Sequence, residues 1–170
     1  MLRHARRALA TKVIIPRHRD AIHLQKANTL ADASCVASRG GTVVHASVSW
    51  RWASGEDALY FTGGGAPLHV DFRHPSSAAG LPPTTASGRE NVRASDQEIL
   101  AARNIDRALR PRFHGDGFLE TVRVDIEVAS SDGDGDVITL GANAASCALA
   151  LAGVPWKGPV GASRLSRRGS

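Results

Sequence analysis

The stretch Ser95-Asp96-Gln97-Glu98-Ile99-Leu100-Ala101-Ala102-Arg103-Asn104-Ile105-Asp106-Arg107-Ala108-Leu109-Arg110-Pro111 decides how the chain is read. Ser95 and Glu98 have the spacing of a capping box, in which each side chain satisfies an orphan backbone N–H at a helix start. Asp96 and Glu98 place negative charge in the first turn, where the helix dipole favours it. Ile99, Ala102, Ile105 and Leu109 recur at helical spacing and predict a buried stripe. Pro111 stops the helix, with Arg110 in its last turn. Arg103, Arg107 and Arg110 share a second face. That face reads in two ways. It is a solvated or ion-paired surface, since Asp106 reaches Arg110 at i+4. Equally, it is a phosphate-contacting stripe, since a guanidinium grips phosphate through two parallel hydrogen bonds.

Outward from this helix, the neighbouring segments read as strands. Thr42 to Trp50 alternates, with Val44, Ala46, Val48 and Trp50 on one side and His45, Ser47 and Ser49 on the other. That is the pattern of a half-buried strand. Pro67 to Phe72 alternates through Leu68, Val70 and Phe72. Glu120 to Val128 alternates through Val122, Val124, Ile126 and Val128. Residues Pro75 to Ala94 are rich in Pro, Ser, Thr and Gly and predict an exposed loop. Thr62-Gly63-Gly64-Gly65 lacks the Lys-Ser/Thr of a phosphate loop and reads as a flexible turn. Asn143 to Leu151 is a small-residue helix ended by Gly153 and Pro155. Strands followed by packed helices predict an α+β domain, with a βαβ unit and helices on one sheet face.

Composition limits the function. The 170 residues are 42% hydrophobic, enough for one domain with a sizeable core. No apolar run reaches the roughly 20 residues of a membrane helix. The net charge of +5 hides a division. Residues 1–30 hold seven Lys/Arg and one acid, and residues 157–170 hold four basic residues and no acid. Between them, fifteen acidic residues outweigh ten basic ones. The core is therefore not a generally basic nucleic-acid binder, and any RNA contact there must be local. The N-terminal stretch, rich in arginine and poor in acids, has the composition of an organelle transit peptide. Leu2, Ala5, Leu9, Val13 and Ile14 can line one side of a helix in it. An RNA-binding basic arm is the competing reading. The lack of serine before Ser34 favours a mitochondrion over a chloroplast, with a cytoplasmic location as the other alternative.

Two acid- and thiol-bearing features read as structural. Asp132-Gly133-Asp134-Gly135-Asp136 has the spacing of the first three calcium ligands of an EF-hand. However, Val137 stands where that loop requires glycine and Asn143 where it requires glutamate, so a polar turn is the reading. Cys35 and Cys147, far apart in sequence and in apolar surroundings, read as buried thiols rather than a disulfide or metal pair. The seven histidines show no ligand spacing.

Five segments in collinear order resemble the first RNase PH-type core of polynucleotide phosphorylase. They are Ala31-Asp32-Ala33-Ser34 with Gly41-Thr42-Val43-Val44, Pro67-Leu68-His69-Val70-Asp71-Phe72-Arg73 with Ala78-Ala79-Gly80, Ser95 to Pro111, Asn143-Ala144-Ala145-Ser146, and Gly158-Pro159-Val160-Gly161. Trp156 is similar to mitochondrial, animal-like members. The resemblance implies the RNase PH core fold, an α+β sandwich like ribosomal protein S5 domain 2, here truncated at its C-terminal end. The implied division is a transit peptide or basic arm over residues 1–27, a partial first domain over 28–165, and a basic tail over 166–170.

It further implies a 3′–5′ phosphorolytic exoribonuclease, a polyribonucleotide nucleotidyltransferase of RNA degradation and processing. Its partners would be single-stranded RNA 3′ ends, inorganic phosphate and two further copies in a homotrimer. Mg²⁺ and the catalytic set would lie in a second core outside this segment, so no residue here is read as catalytic or metal-ligating. The isolated chain would then be an inactive RNA-guiding and trimer-forming segment. The alternative is a non-catalytic RNase PH-like scaffold subunit of an organellar RNA assembly. In the family, the loop before the capped helix grips RNA with two aromatics and two arginines. Here Thr85 to Arg93 keeps Arg89, with Arg93 as a substitute, and has Gly88 and no aromatic. The implied RNA-binding residues are Arg89, Arg93, Arg103, Arg107 and Arg110.

Overall fold

The computed structural model describes residues 11–14, 20–24, 28–52, 68–82, 94–113 and 120–165. Six strands form one sheet: β1 (Thr11–Ile14), β2 (Asp20–Leu24), β3 (Ala33–Arg39), β4 (Thr42–Trp52), β5 (Leu68–Arg73) and β6 (Glu120–Ser130). Two α-helices are described, α1 (Asp96–Leu109) and α2 (Val137–Ala152), with short 3₁₀ turns at Ser76–Ala79 and Arg110–Arg112. The sheet order is β1-β2-β3-β4-β6-β5. All pairs are antiparallel except β5 and β6, which run parallel with α1 between them in sequence. A parallel pair needs such a crossover.

The alternation read from the sequence sets which face is buried. Val44, Ala46 and Val48 of β4 pair with Val128, Ile126 and Val124 of β6, and all six are inaccessible. Ala33, Cys35 and Ala37 of β3 join them, as do Leu68 and Phe72 of β5. α2 packs on β3 and β4, while α1 packs on β5. His45, Ser47, Asp125 and Glu127 fall on the opposite, polar face. The β3–β4 hairpin turns through Gly40, whose φ of +58° suits a residue without Cβ.

The sheet differs from the sequence reading at its N-terminal edge. Val13 and Ile14 lie in a strand, not on a helix, and β1 pairs with β2 and β2 with β3. The sheet thus extends into the segment read as a transit peptide or basic arm. The β-branched pair Val13-Ile14 favours the extended state, and the outer edge of β2, itself paired to β3, supplies the template. α2 also starts earlier than Asn143, at Val137, because Asp136 caps it by accepting the Ile138 N–H at 3.2 Å. It ends at Gly153, φ +69°, as read. The Thr62–Gly65 turn, Arg89, Arg93 and the tail 166–170 lie outside the described residues.

Candidate nucleic-acid interface

α1 is held as its sequence requires. The Ser95 hydroxyl accepts the Glu98 N–H at 3.3 Å, and Glu98 Oε2 accepts the Ser95 N–H at 2.6 Å. The other Glu98 oxygen accepts the His74 N–H at 2.7 Å, beyond the end of β5. Partial burial pushes the Glu98 carboxyl up. The N–H groups of His74 and Ser95, the Ser95 hydroxyl and the nearby Arg73 charge outweigh it, so the group sits below its ordinary value. At the other end of the helix, Arg110 Nη2 donates to the Leu68 carbonyl at 2.9 Å. The helix therefore runs beside the β5 edge and is fastened to both ends of it.

The three arginines of the stripe separate in the structure. Arg103 and Arg107 are exposed, one turn apart, and neither is held by an ion pair among the described residues. Arg110 is engaged internally: its Nε and Nη2 reach the two Asp106 oxygens at 2.9 and 2.6 Å. This bidentate grip is the ion-paired alternative that the i+4 spacing offered. Arg103 lines a groove of about 280 Å³ between α1 and β5, shared with Glu98, Asp106 and Asp71. The groove is electrostatically mixed, so an anionic strand would be favoured along the outer Arg103–Arg107 edge rather than in its floor. Arg112, in the turn that follows, accepts the Lys157 N–H on its carbonyl at 2.7 Å. That contact brings a second basic segment to the same end of α1. Arg112 was visible in the sequence beyond Pro111, but its link to Lys157 was not.

Asp125, Asp132 and Asp136 are committed to structure. Asp125 holds Arg123 at 2.8 Å on the polar sheet face. Asp132 closes the loop before α2, and Asp136 caps α2 while Arg164 Nε lies 3.0 Å from its Oδ2. The polar-turn reading of Asp132 to Asp136 therefore stands. Among the described residues, no three His, Cys, Asp or Glu side chains are grouped to hold a metal ion. With their oxygens already engaged by Arg123, by the Gly41 N–H and Thr42 hydroxyl, and by the Ile138 N–H and Arg164, Asp125, Asp132 and Asp136 do not fit a magnesium site.

Two of the segments that carried the resemblance meet directly. Asn143 Oδ1 accepts the Ala162 N–H at 2.7 Å and its Nδ2 donates to the Ala162 carbonyl at 3.1 Å. One turn on, the Ser146 hydroxyl accepts the Val160 N–H at 2.7 Å. The Gly158–Ala162 stretch is thereby docked along α2. Trp156 packs on Phe113 with ring centroids 5.8 Å apart, closing the same region against the end of α1.

A mixed sheet covered on one face by two helices, with a β–α–β unit at its edge, defines an RNase PH-type α+β domain. Rice (Oryza sativa) Rrp46 has the same fold, with a TM-score of 0.52 over 77% of this chain and 53% of that one, at 19% identity. The chain belongs to the 3′ exoribonuclease family: the pattern of its domain 1 matches residues 21–155. It is similar to the polyribonucleotide nucleotidyltransferase of Rhodopseudomonas palustris, 41% identical over 135 residues, covering 79% of this chain and 18% of that protein. The mitochondrial polyribonucleotide nucleotidyltransferase 2 of Arabidopsis thaliana is 45% identical over 101 residues, covering 59% of this chain and 10% of that protein. The chain spans less than a fifth of the length of either relative. Among the described residues, no helix is long and apolar enough to cross a membrane.

Proposed function

We propose that this chain serves as the N-terminal RNA-guiding and subunit-associating part of a phosphorolytic 3′–5′ exoribonuclease of the polyribonucleotide nucleotidyltransferase type. In that reaction phosphate attacks the terminal phosphodiester and releases a nucleoside diphosphate. The observation that carries the reading is the 135-residue similarity to a polyribonucleotide nucleotidyltransferase across the domain core. It is supported by exposed Arg103 and Arg107 on a helix fixed at both ends. In this reading the catalytic set and Mg²⁺ belong to segments outside these 170 residues. The assembly is a homotrimer and the compartment a mitochondrion. The arginine-rich, acid-poor N-terminus and the mitochondrial plant relative support the location.

The test uses the purified chain with poly(A), inorganic phosphate and Mg²⁺. The expected result is no nucleoside diphosphate, together with salt-sensitive RNA binding. Arg103→Ala and Arg107→Ala should each weaken that binding and reduce its log–log salt slope by about 1. Phosphate-dependent release by the chain alone overturns the assignment of catalysis elsewhere. RNA binding unchanged in the double variant overturns the guiding role.

A further inference from the structure

α1 ends in the turn Arg110–Arg112, and the chain leaving it meets a second segment. Phe113 and Trp156 form an antiparallel bridge with their rings packed, centroids 5.8 Å apart. Phe113 is buried and Trp156 half-buried, so this pair is the inward side of the junction. The next pair in that register is Arg112 opposite Lys157, joined by the bond of 2.7 Å from the Lys157 N–H to the Arg112 carbonyl. Both residues are exposed. Neither side chain has an acidic partner among the described residues.

Like charges set directly opposite each other across a strand pair repel and lower stability. The backbone bond and the aromatic pair hold these two cations together nonetheless. Such a pair suits a phosphate group. The guanidinium offers a planar fork to two oxygens, the ammonium a mobile point charge, and an anion between them relieves the repulsion. Position argues for a polymer rather than a free anion. Arg103 and Arg107 lie upstream on α1, and at 1.5 Å per residue Arg103 is roughly 14 Å from Arg112. A lone phosphate cannot span that distance, whereas a strand of a few nucleotides passes along all of these cations. The segment beyond Lys157 carries no acidic residue to repel it.

We propose that Arg112 and Lys157 form a phosphate clamp that holds single-stranded RNA by its backbone where the strand passes the C-terminal end of α1. The clamp rests on the reading of this chain as RNA-binding and adds to Arg103 and Arg107 a second, separable contact. Contacts to phosphate carry no base information, so the clamp is indifferent to sequence.

The test measures poly(A) and poly(U) binding by the full chain across a salt series, beside circular dichroism melts. Arg112→Ala combined with Lys157→Ala removes two phosphate contacts. It should weaken binding of both polymers and reduce the log–log salt slope by about 2. The same variant should melt no lower than the native chain, because a repulsion has been relieved; a melt well below it would show a structural pair and overturn the proposal. Arg112→Lys combined with Lys157→Arg keeps both charges and should keep binding. Unchanged affinity and slope in the double alanine variant overturn the clamp, and loss in Arg103→Ala with Arg107→Ala would then leave the guiding role standing. Loss confined to the Arg112 and Lys157 variant supports the clamp and removes the guiding role from α1. A native chain that binds neither polymer overturns both. Inorganic phosphate bound as tightly as poly(A), and lost in the same variant, would make this a site for the free anion and overturn its assignment to RNA.

Discussion

Asp132 shows how much one carboxylate can organise. Its Oδ2 accepts the Gly41 N–H at 2.7 Å, and its Oδ1 accepts the Thr42 hydroxyl at 2.6 Å. The Asp134 and Gly135 N–H groups add bonds to Oδ1 at 3.1 and 3.2 Å. The β3–β4 turn is thereby tied to the loop before α2. The Thr42 hydroxyl first, then the Gly41 and Gly135 N–H groups, hold the carboxyl far below its ordinary range, against a small opposing effect of desolvation. The folded-state pKa lies below the unfolded value of about 4. Its contribution is therefore present above that pH and lost as pH falls through the folded pKa. Asp132→Asn should melt at a lower temperature than the native chain at pH 7. The gap should narrow once the pH drops below about 4, as circular dichroism melts across pH would show. A gap independent of pH would mean that shape, not charge, holds the loop. The turn character of this run was legible in its alternating glycines. Its partner at Gly41 and Thr42 was not, because a carboxylate that binds its own loop also has the spacing of a calcium ligand.

At the scale of the element, α1 was legible in its ends more than in its face. Ser95, Glu98 and Pro111 marked the boundaries because caps are local chemistry. Ile105 and Leu109 are buried as read, but Ala101 completes the stripe in place of Ile99, which is 41% exposed, and of half-buried Ala102. Spacing alone left the helix free to rotate. The structure fixes it because α1 must face both β5 and α2, and Ile99 then falls on the lip of the groove. The arginines divided for the same reason: Arg110 turns toward Asp106 and Leu68, leaving Arg103 and Arg107 outside. Ser95→Ala removes one of the two box bonds and should cost about 1 kcal/mol. Glu98→Ala removes the other and also the acceptor of the His74 N–H, so its loss should be larger, about 1–2 kcal/mol. Urea unfolding of both variants checks the order. An equal loss would show that the β5 contact adds nothing.

At the scale of the molecule, the alternating strands made the sheet readable and the parallel pair made its crossover necessary. Strand order and the N-terminal hairpin were not readable, since composition gave residues 1–30 the look of a leader and hid their pairing. Whether sheet and helices act as one body turns on Gly141. A Cβ there would lie 3.2 Å from Ile126 of β6, 3.3 Å from Phe72 of β5 and 3.5 Å from Ile105 of α1. All three neighbours are buried, so none has room to move aside. The close seat of α2 on its neighbours thus depends on a missing side chain, which overrides the usual helical preference for Ala over Gly. Gly141→Val should overpack this junction and cost about 2 kcal/mol. Because the junction is shared by β5, β6, α1 and α2, helix circular dichroism and tryptophan fluorescence should shift together and keep a single transition. Loss of the helical signal at a lower temperature than the tryptophan signal would show instead that α2 detaches from a sheet that remains folded.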